Sequence, residues 1–293
     1  MHALVDLDVA YTTPLDAEAL WDYLAARVIA GVEECDPLTY RRAVHLPGGP
    51  GVLVLRRSGD QVRAGAVLSA AADAGAAREL ALRTIDAAAD PAAVLDGLGA
   101  HPWLGELVRT RPGLRAPHHP GTFEIALRAV LAQQVSLRAA RTVTARVVQA
   151  AGTALPAPVG SLTHLFPTPV QVLSLADDGA ALAMPASRRR AVLALAEAAA
   201  AGLGDTGGDS AAGDPDAVEQ ALLALPGIGP WTAQYVRMRA LDDPDAFCGT
   251  DLVLRRTAER LSGAPLDPTG AEFAPWRTYA AHHLWRAAQL ARR

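Results

Sequence analysis

Apolar and polar residues alternate at the start of the chain. Ala3, Val5, Leu7 and Val9 fall on one side and Asp6 and Asp8 on the other, a period of two that predicts a half-buried strand over 3–9. After Pro14 the period lengthens: Leu20, Trp21, Leu24, Ala25 and Val28 form a stripe at helical spacing. Three runs bounded by turn residues, Tyr40–Leu46, Gly51–Arg57 and Gln61–Ser69, predict further strands, and Ala76–Ala88 a second helix. Residues 1–90 thus read as a small α/β unit with a mainly antiparallel sheet, ending near Asp90-Pro91. From there the pattern is helical, through Pro91–Leu98, Trp103–Arg109, Thr122–Gln134 and Leu137–Ala150. Leu155–Thr168 reads as a Pro-rich connection, Pro169–Ala176 and the stretch opened by Met184-Pro185 as helices, and Phe273–Leu290 as the last helix. No strand is predicted in 91–293, and residues 201–216 (AGLGDTGGDSAAGDPD) have too little to bury to be anything but a mobile loop. The fold class is α+β.

Within the helical region, residues 218–240 carry a break of a particular kind. Leu222, Leu223 and Leu225 end one helix, Pro226-Gly227-Ile228-Gly229-Pro230 cannot continue it, and Pro230 suits the first position of the next, where its missing N–H costs nothing. This is a helix-hairpin-helix. The amides of Gly227 and Gly229, uncovered at a helix N-terminus, can hold a phosphate without side-chain charge. The loop 242–252 follows, with Thr250 or Asp251 at the start of another helix. Asp242, Asp243 and Asp245 read as surface residues of that loop. Taken singly, a Gly-x-Gly is a tight turn and an Asp before a helix is a cap; the two together in one frame carry more.

LPGIGPWTAQY followed by Asp251 resembles the helix-hairpin-helix DNA glycosylases, and WDYLAARVIAGVEE (21–34) and PWRTYAAHHLW resemble the DNA-3-methyladenine glycosylase II family of the AlkA type. The resemblance runs from about Trp21 to Trp285. It implies a two-lobed helical glycosylase domain behind the N-terminal unit, a double-stranded DNA partner carrying damaged bases, and base excision repair. It implies Asp251 as the catalytic carboxylate and a base pocket at Trp231, Tyr235, Trp276, Tyr23 and Leu252. Leu252 departs from the aromatic residue that the family places after its essential Asp. TFEIALRAVLAQQVSLRAARTVTAR resembles the family stretch that lies against DNA, which places Gln133, Gln134 and Ser136 there. Gln134 falls at the wedge that fills the gap of a flipped nucleotide, where the AlkA-type enzyme has an apolar residue. The carbonyls of Leu223, Leu225 and Ile228 match those that hold a structural Na+ or K+ in the family. His283 and Trp285 are left to core packing.

Composition narrows the chemistry. The 293 residues contain no lysine, so a Schiff base through a lysine amine is impossible, and the hairpin position that carries Lys in strand-cutting relatives is Trp231. The expected activity is therefore monofunctional: base release without lyase chemistry. Cys35 and Cys248 are too few for an iron–sulfur cluster, and the His118-His119 and His282-His283 pairs lack zinc-ligand spacing, so no catalytic cofactor is expected. A net charge of −4 confines any grip on DNA to local devices such as the hairpin. Arg188, Arg189 and Arg190 read as a solvated helix face able to meet phosphate. With no membrane-length apolar run and no leader pattern, the chain is expected to be cytoplasmic, and monomeric.

Electron-rich rings suit a base methylated on a ring nitrogen, which is cationic and leaves as a neutral molecule. A single carboxylate can then stabilise the oxocarbenium-like sugar. The alternatives are a glycosylase for deaminated or oxidised purines, which would read a neutral base by hydrogen bonds, and a helix-hairpin-helix binding module without chemistry.

Overall fold

The computed structural model describes residues 4–119, 121–204 and 214–291. Most of the Gly/Asp/Ser-rich stretch expected to be mobile lies outside the described residues.

The N-terminal unit is a five-stranded antiparallel sheet in the order β1-β5-β4-β3-β2, with β1 Leu4–Leu7, β2 Glu33–Cys35, β3 Thr39–Leu46, β4 Gly49–Ser58 and β5 Gln61–Leu68. The alternation that predicted β1 pairs it with β5, Leu7 opposite Ala64. Helices α1 (Ala17–Ala25) and α2 (Ala74–Thr84) cover one face, where Leu20, Trp21, Leu24, Leu53 and Leu55 share a core. Asp16 caps α1 by accepting from the Ala19 amide at 2.9 Å.

Among the described residues ten further helices follow: α3 Pro91–Leu98, α4 Gly105–Thr110, α5 Thr122–Ala132, α6 Leu137–Ala151, α7 Pro169–Leu173, α8 Ala186–Ala200, α9 Pro215–Leu223, α10 Pro230–Ala240, α11 Leu252–Ser262 and α12 Arg277–Leu290. They build two cores. One is centred on α5, α8 and α10 (Leu127, Val130, Val192, Leu195, Val236), the other on α11 and α12 with α3 and α4 (Leu98, Leu104, Leu254, Phe273, Leu284). Tyr235 packs against both, which puts α10 on the seam.

Two expectations fail. The region after residue 90 is not all-helical: Ala154–Val159 (β6) and Leu162–His164 (β7) form a small hairpin turned at Gly160, whose φ is +62°. Prolines at 156 and 158 concealed β6, and they are tolerated because it is paired on one side only. Leu162 is buried with Val52 and Val54 of β4, so the hairpin is held by the N-terminal sheet rather than by its own sequence. The last helix begins at Arg277, not Phe273, because Pro275 disfavours helical backbone before it.

The N-terminal unit is locked to α5 by a buried ion network. Arg42 of β3 bonds Glu33 and Glu124 at 2.5 Å each, and Arg128 bonds the same two carboxylates at 3.2 and 3.1 Å. Buried charge survives only when paired in this way. The two guanidinium groups outweigh the burial that pushes Glu33 and Glu124 upward, and hold both carboxyls below their ordinary value. Alpha-5 ends at Gln133-Gln134, so this network fixes where the helix break stands.

Candidate active site

Asp251 is positioned by its own backbone. It is the N-cap of α11, and its Oδ1 accepts from the Val253 and Leu254 amides at 2.8 and 2.9 Å. Gly249, two residues earlier, lets the Pro268 backbone pass: a Cβ there would stand 1.9 Å from the Pro268 carbonyl oxygen. Asp251 Oδ2 accepts from the Trp231 indole N–H at 3.2 Å, and Trp285 Nε1 lies 3.5 Å from Oδ1. Trp231 and Asp251 stand 20 residues apart, and the helix-hairpin-helix joins them through one hydrogen bond.

The carboxylate opens on a cavity of about 730 Å³ between the N-terminal unit and the two helical cores, within the usual range for a small-ligand site. Tyr23, Trp231, Tyr235, Asp251, His282 and Trp285 line it. Trp231 and Tyr235 stack, with centroids 5.3 Å apart and planes 7° apart, and Trp285 meets Tyr235 edge-on at 6.5 Å. These residues stand together because positions 231, 235 and 239 repeat at four-residue spacing along α10 and form one face.

Trp276 is not among them. It packs on α3, where a Cβ on Gly97 would meet its Cδ1 at 2.5 Å, and crosses Tyr279 edge-on at 5.8 Å. Trp276 is the cap before α12, whereas Trp285 lies within the helix. The aromatic residue of this helix that reaches the cavity is therefore Trp285, which the sequence reading had given to the core. Leu252, the first residue of α11, is 56% exposed and outside the cavity lining. His283 is buried as expected.

Sequence reasoning missed His282, Arg27 and Arg239. Arg27 lies 3.6 Å from the Tyr23 ring centroid and Arg239 4.8 Å, while the Arg239 guanidinium donates to the Tyr23 hydroxyl. Arg239 was legible as the third member of the Trp231–Tyr235 face. Arg27 and His282 were not, since only packing turns them toward the cavity. Burial holds His282 well below the ordinary histidine value, with Arg239 and Arg27 acting in the same direction, so it is neutral.

The hairpin lies beside the cavity mouth. Gly227 has φ +79°, left-handed backbone that suits glycine, and a Cβ there would meet Ala191 of α8 at 2.9 Å. Nothing stands within 4 Å of a Cβ built on Gly229, so that backbone faces open space at the N-terminus of α10. Gln133 turns inward instead of outward. Its Nε2 donates to the Gly227 carbonyl at 2.9 Å, while Arg188 donates to its own carbonyl. Arg188 is thus a strut between α8 and the helix break, and Arg189 likewise bonds the Ala176 carbonyl, so the predicted solvated face holds only in part. Gln134 is exposed with φ +57°, and Ser136 caps α6 through the Ala139 amide at 3.2 Å. The loop aspartates are ion-paired rather than free: Asp242 with Arg83 at 2.8 Å, Asp243 with Arg237 at 2.7 Å and Asp245 with Arg277 at 2.6 Å.

Among the described residues no cluster of His, Cys, Asp and Glu could hold a metal ion, and no helix is long and apolar enough to cross a membrane. At the hairpin, Leu223 ends α9 and Leu225 lies two residues beyond it, where carbonyls lack helical partners. The Leu225 carbonyl accepts one long bond, 3.3 Å from the Ile228 amide, and keeps a lone pair.

The AlkA N-terminal domain family matches residues 6–123. The chain is 41% identical over 287 residues to the "Probable bifunctional transcriptional activator/DNA repair enzyme AlkA" of Mycobacterium tuberculosis, covering 96% of this chain and 56% of that protein. It thus spans about half the length of that relative. It is 33% identical over 276 residues to DNA-3-methyladenine glycosylase 2 of Escherichia coli, covering 93% of this chain and 94% of that one. In fold it is similar to a 3-methyladenine DNA-glycosylase from Archaeoglobus fulgidus, with TM-score 0.79, 17% identity and 99% of each chain covered. It is also similar to an 8-oxoguanine glycosylase/lyase of Clostridium acetobutylicum in complex with double-stranded DNA, with TM-score 0.67, 14% identity, 91% of this chain and 100% of that one.

Proposed function

Since the chain belongs to the AlkA-type DNA-3-methyladenine glycosylase family, we propose that it excises alkylated bases, 3-methyladenine and 7-methylguanine among them, from double-stranded DNA. It acts as a monofunctional N-glycosylase. The observation that carries this reading is the Asp251 carboxylate, held by the Trp231 indole at the wall of a base-sized aromatic cavity beside the hairpin.

The hairpin amides of Gly227 and Gly229 grip a backbone phosphate. The Leu223, Leu225 and Ile228 carbonyls would hold a monovalent cation, which would supply positive charge there. Gln134, presented by its left-handed backbone, fills the stack when the nucleotide swings out, a movement that costs a few kcal/mol and least for damaged pairs. Trp231, Tyr235 and Trp285 receive the base. Asp251 stabilises the cationic sugar as the C1′–N bond opens and orients the water that adds to C1′. Because the chain has no lysine, the abasic strand is left intact.

The test is release of 3-methyladenine and 7-methylguanine from alkylated duplex DNA, with strand breaks scored before and after alkali. Free base with breaks only after alkali is expected. DNA binding with neither base freed would overturn the assignment in favour of a binding module.

A further inference from the structure

We propose that the cavity holds, beyond the Trp231–Tyr235 stack, a subsite for a carboxylate formed by Arg239 and Arg27, and that it admits purines whose ring-nitrogen alkyl group ends in a carboxylate, such as 7-carboxymethylguanine. The inference rests on the glycosylase reading above and deepens it. Asp251 and the Trp231 indole mark the sugar end of the cavity. Positions 235 and 239 follow on the same face of α10, each about 6 Å further along the helix axis. These side chains, with Tyr23, Arg27 and His282, line one space.

The charges around this space are met unequally. Arg42 and Arg128, which also border it, share Glu33 and Glu124, two positive groups against two negative ones. Among the described residues no carboxylate oxygen lies within 4.0 Å of the Arg27 or the Arg239 guanidinium. Both turn to Tyr23 instead. Arg27 lies 3.6 Å from its ring centroid and donates to its carbonyl at 3.3 Å, while Arg239 lies 4.8 Å from the centroid and donates to its hydroxyl. A ring, a carbonyl and a phenol leave both positive charges without a counter-charge.

Arg239 also keeps a donor in reserve. It is 5% exposed, and its Nε is buried without a hydrogen-bond partner, as is Nε2 of His282, whose ring lies 5.1 Å from that of Tyr23. A buried guanidinium with an unused N–H calls for an anion, and a carboxylate is the acceptor that matches its fork. Backbone phosphates stay with the duplex at the hairpin, outside the cavity, whereas the extruded base enters it. The anion must therefore arrive on the base. A base that is only cationic meets two like charges here, and one that also carries a carboxylate cancels them.

In DNA such a base is a zwitterion, cationic at the ring and anionic at the substituent. Heterolysis of the C1′–N bond sends the electron pair to the ring, which becomes neutral, so the base leaves without needing a proton. Water adds to C1′ and yields its proton to Asp251, which passes it to solvent. The freed base keeps its carboxylate throughout, and Arg239 and Arg27 hold that group in the substrate, the transition state and the product.

The experiment measures kcat/KM for release of 7-carboxymethylguanine, its uncharged amide 7-carbamoylmethylguanine and 7-methylguanine from otherwise identical duplexes, by wild type, Arg239→Gln and Arg27→Gln. Wild type is expected to free the carboxylate base about tenfold faster than the amide of the same size, the scale of a hydrogen bond to a charged group. Arg239→Gln should abolish that preference. It should also raise kcat/KM for 7-methylguanine by about two- to threefold, because a like charge has left the side of a cationic base. Arg27→Gln should move both values in the same directions. A purely structural role for the two arginines would slow all three bases together. That result, a wild type that does not distinguish carboxylate from amide, or one that frees 7-methylguanine but not 7-carboxymethylguanine, would overturn the proposal. A wild type that frees none of the three refutes the glycosylase reading instead. Should Arg239→Gln not fold, Arg27→Gln decides.

Discussion

Replacing Asp251 by Asn removes one negative charge and almost no volume. The charge is held by the Trp231 indole at 3.2 Å and by the Val253 and Leu254 amides at 2.8 and 2.9 Å. A carboxylate about 4 Å from a developing cationic carbon, at an effective dielectric of about 20, is worth about 4 kcal/mol. That corresponds to a rate loss of roughly 10³-fold. The fold should tolerate the change. Asn caps a helix about as well as Asp, so its Oδ1 keeps both amides, while its NH2 meets the indole N–H donor to donor and forfeits a bond worth about 1 kcal/mol. Single-turnover release of 7-methylguanine, read beside thermal unfolding, separates the two effects: a rate lower by about three orders of magnitude in a protein less stable by about 1 to 2 kcal/mol. An Asn variant that released base within tenfold of wild type would refute the electrostatic role. Asp251→Ala should lose as much activity and about 1 kcal/mol more stability, because the cap goes as well.

Stability should also depend on pH through three buried histidines. Burial holds His119 and His283 down at about 4 and His282 well below its ordinary value, all under the unfolded value of about 6.5. The unfolded chain thus binds more protons, and stability present above pH 6.5 is lost as pH falls toward 4, by up to about 1.4 kcal/mol per unit for each histidine. Urea titrations at pH 7 and pH 5 check this; an unchanged midpoint would contradict it. Glu124→Gln leaves Arg42 and Arg128 to share Glu33 and should cost about 3 to 5 kcal/mol in urea unfolding. Gln134→Gly relieves left-handed backbone worth about 1 kcal/mol and should raise the melting temperature, yet weaken flipping as read by a fluorescent base analogue. Gly249→Ala drives a methyl against the Pro268 carbonyl and should lower both soluble yield and base release.

Some of the site could be read because its parts are local. A helix-hairpin-helix is fixed by Gly227, Gly229 and Pro230 within a few residues, and a helix N-cap such as Asp251 by the residues beside it. Tyr235 follows from Trp231 by one turn of α10. Reading failed where a residue's direction depends on a neighbour distant in sequence. Trp276 and Trp285 look alike on one amphipathic stretch, and only Gly97 on α3 shows which of them turns away from the cavity. Gln133 reads as a surface amide until the Gly227 carbonyl stands before it. The β6–β7 hairpin carries prolines that argue against strands, and Leu162 finds its burial only against the N-terminal sheet.

The sequence by itself determined the chemistry that is open to this chain. Without lysine no lysine Schiff base can form, with two cysteines there is no four-cysteine cluster, and the spacing of hairpin and Asp251 sets two glycine amides near a carboxylate. The tertiary structure decided which side chains meet. Glu33, Arg42, Glu124 and Arg128 are ordinary surface types until burial forces them to pair, and Arg27 and Arg239 meet the Tyr23 ring only where α1 packs on α10. Local pattern fixes backbone conformation because turns and caps involve neighbours a few residues apart. The character of a cavity is set by groups that arrive from separate elements, and their mutual fields exist only after packing has excluded water.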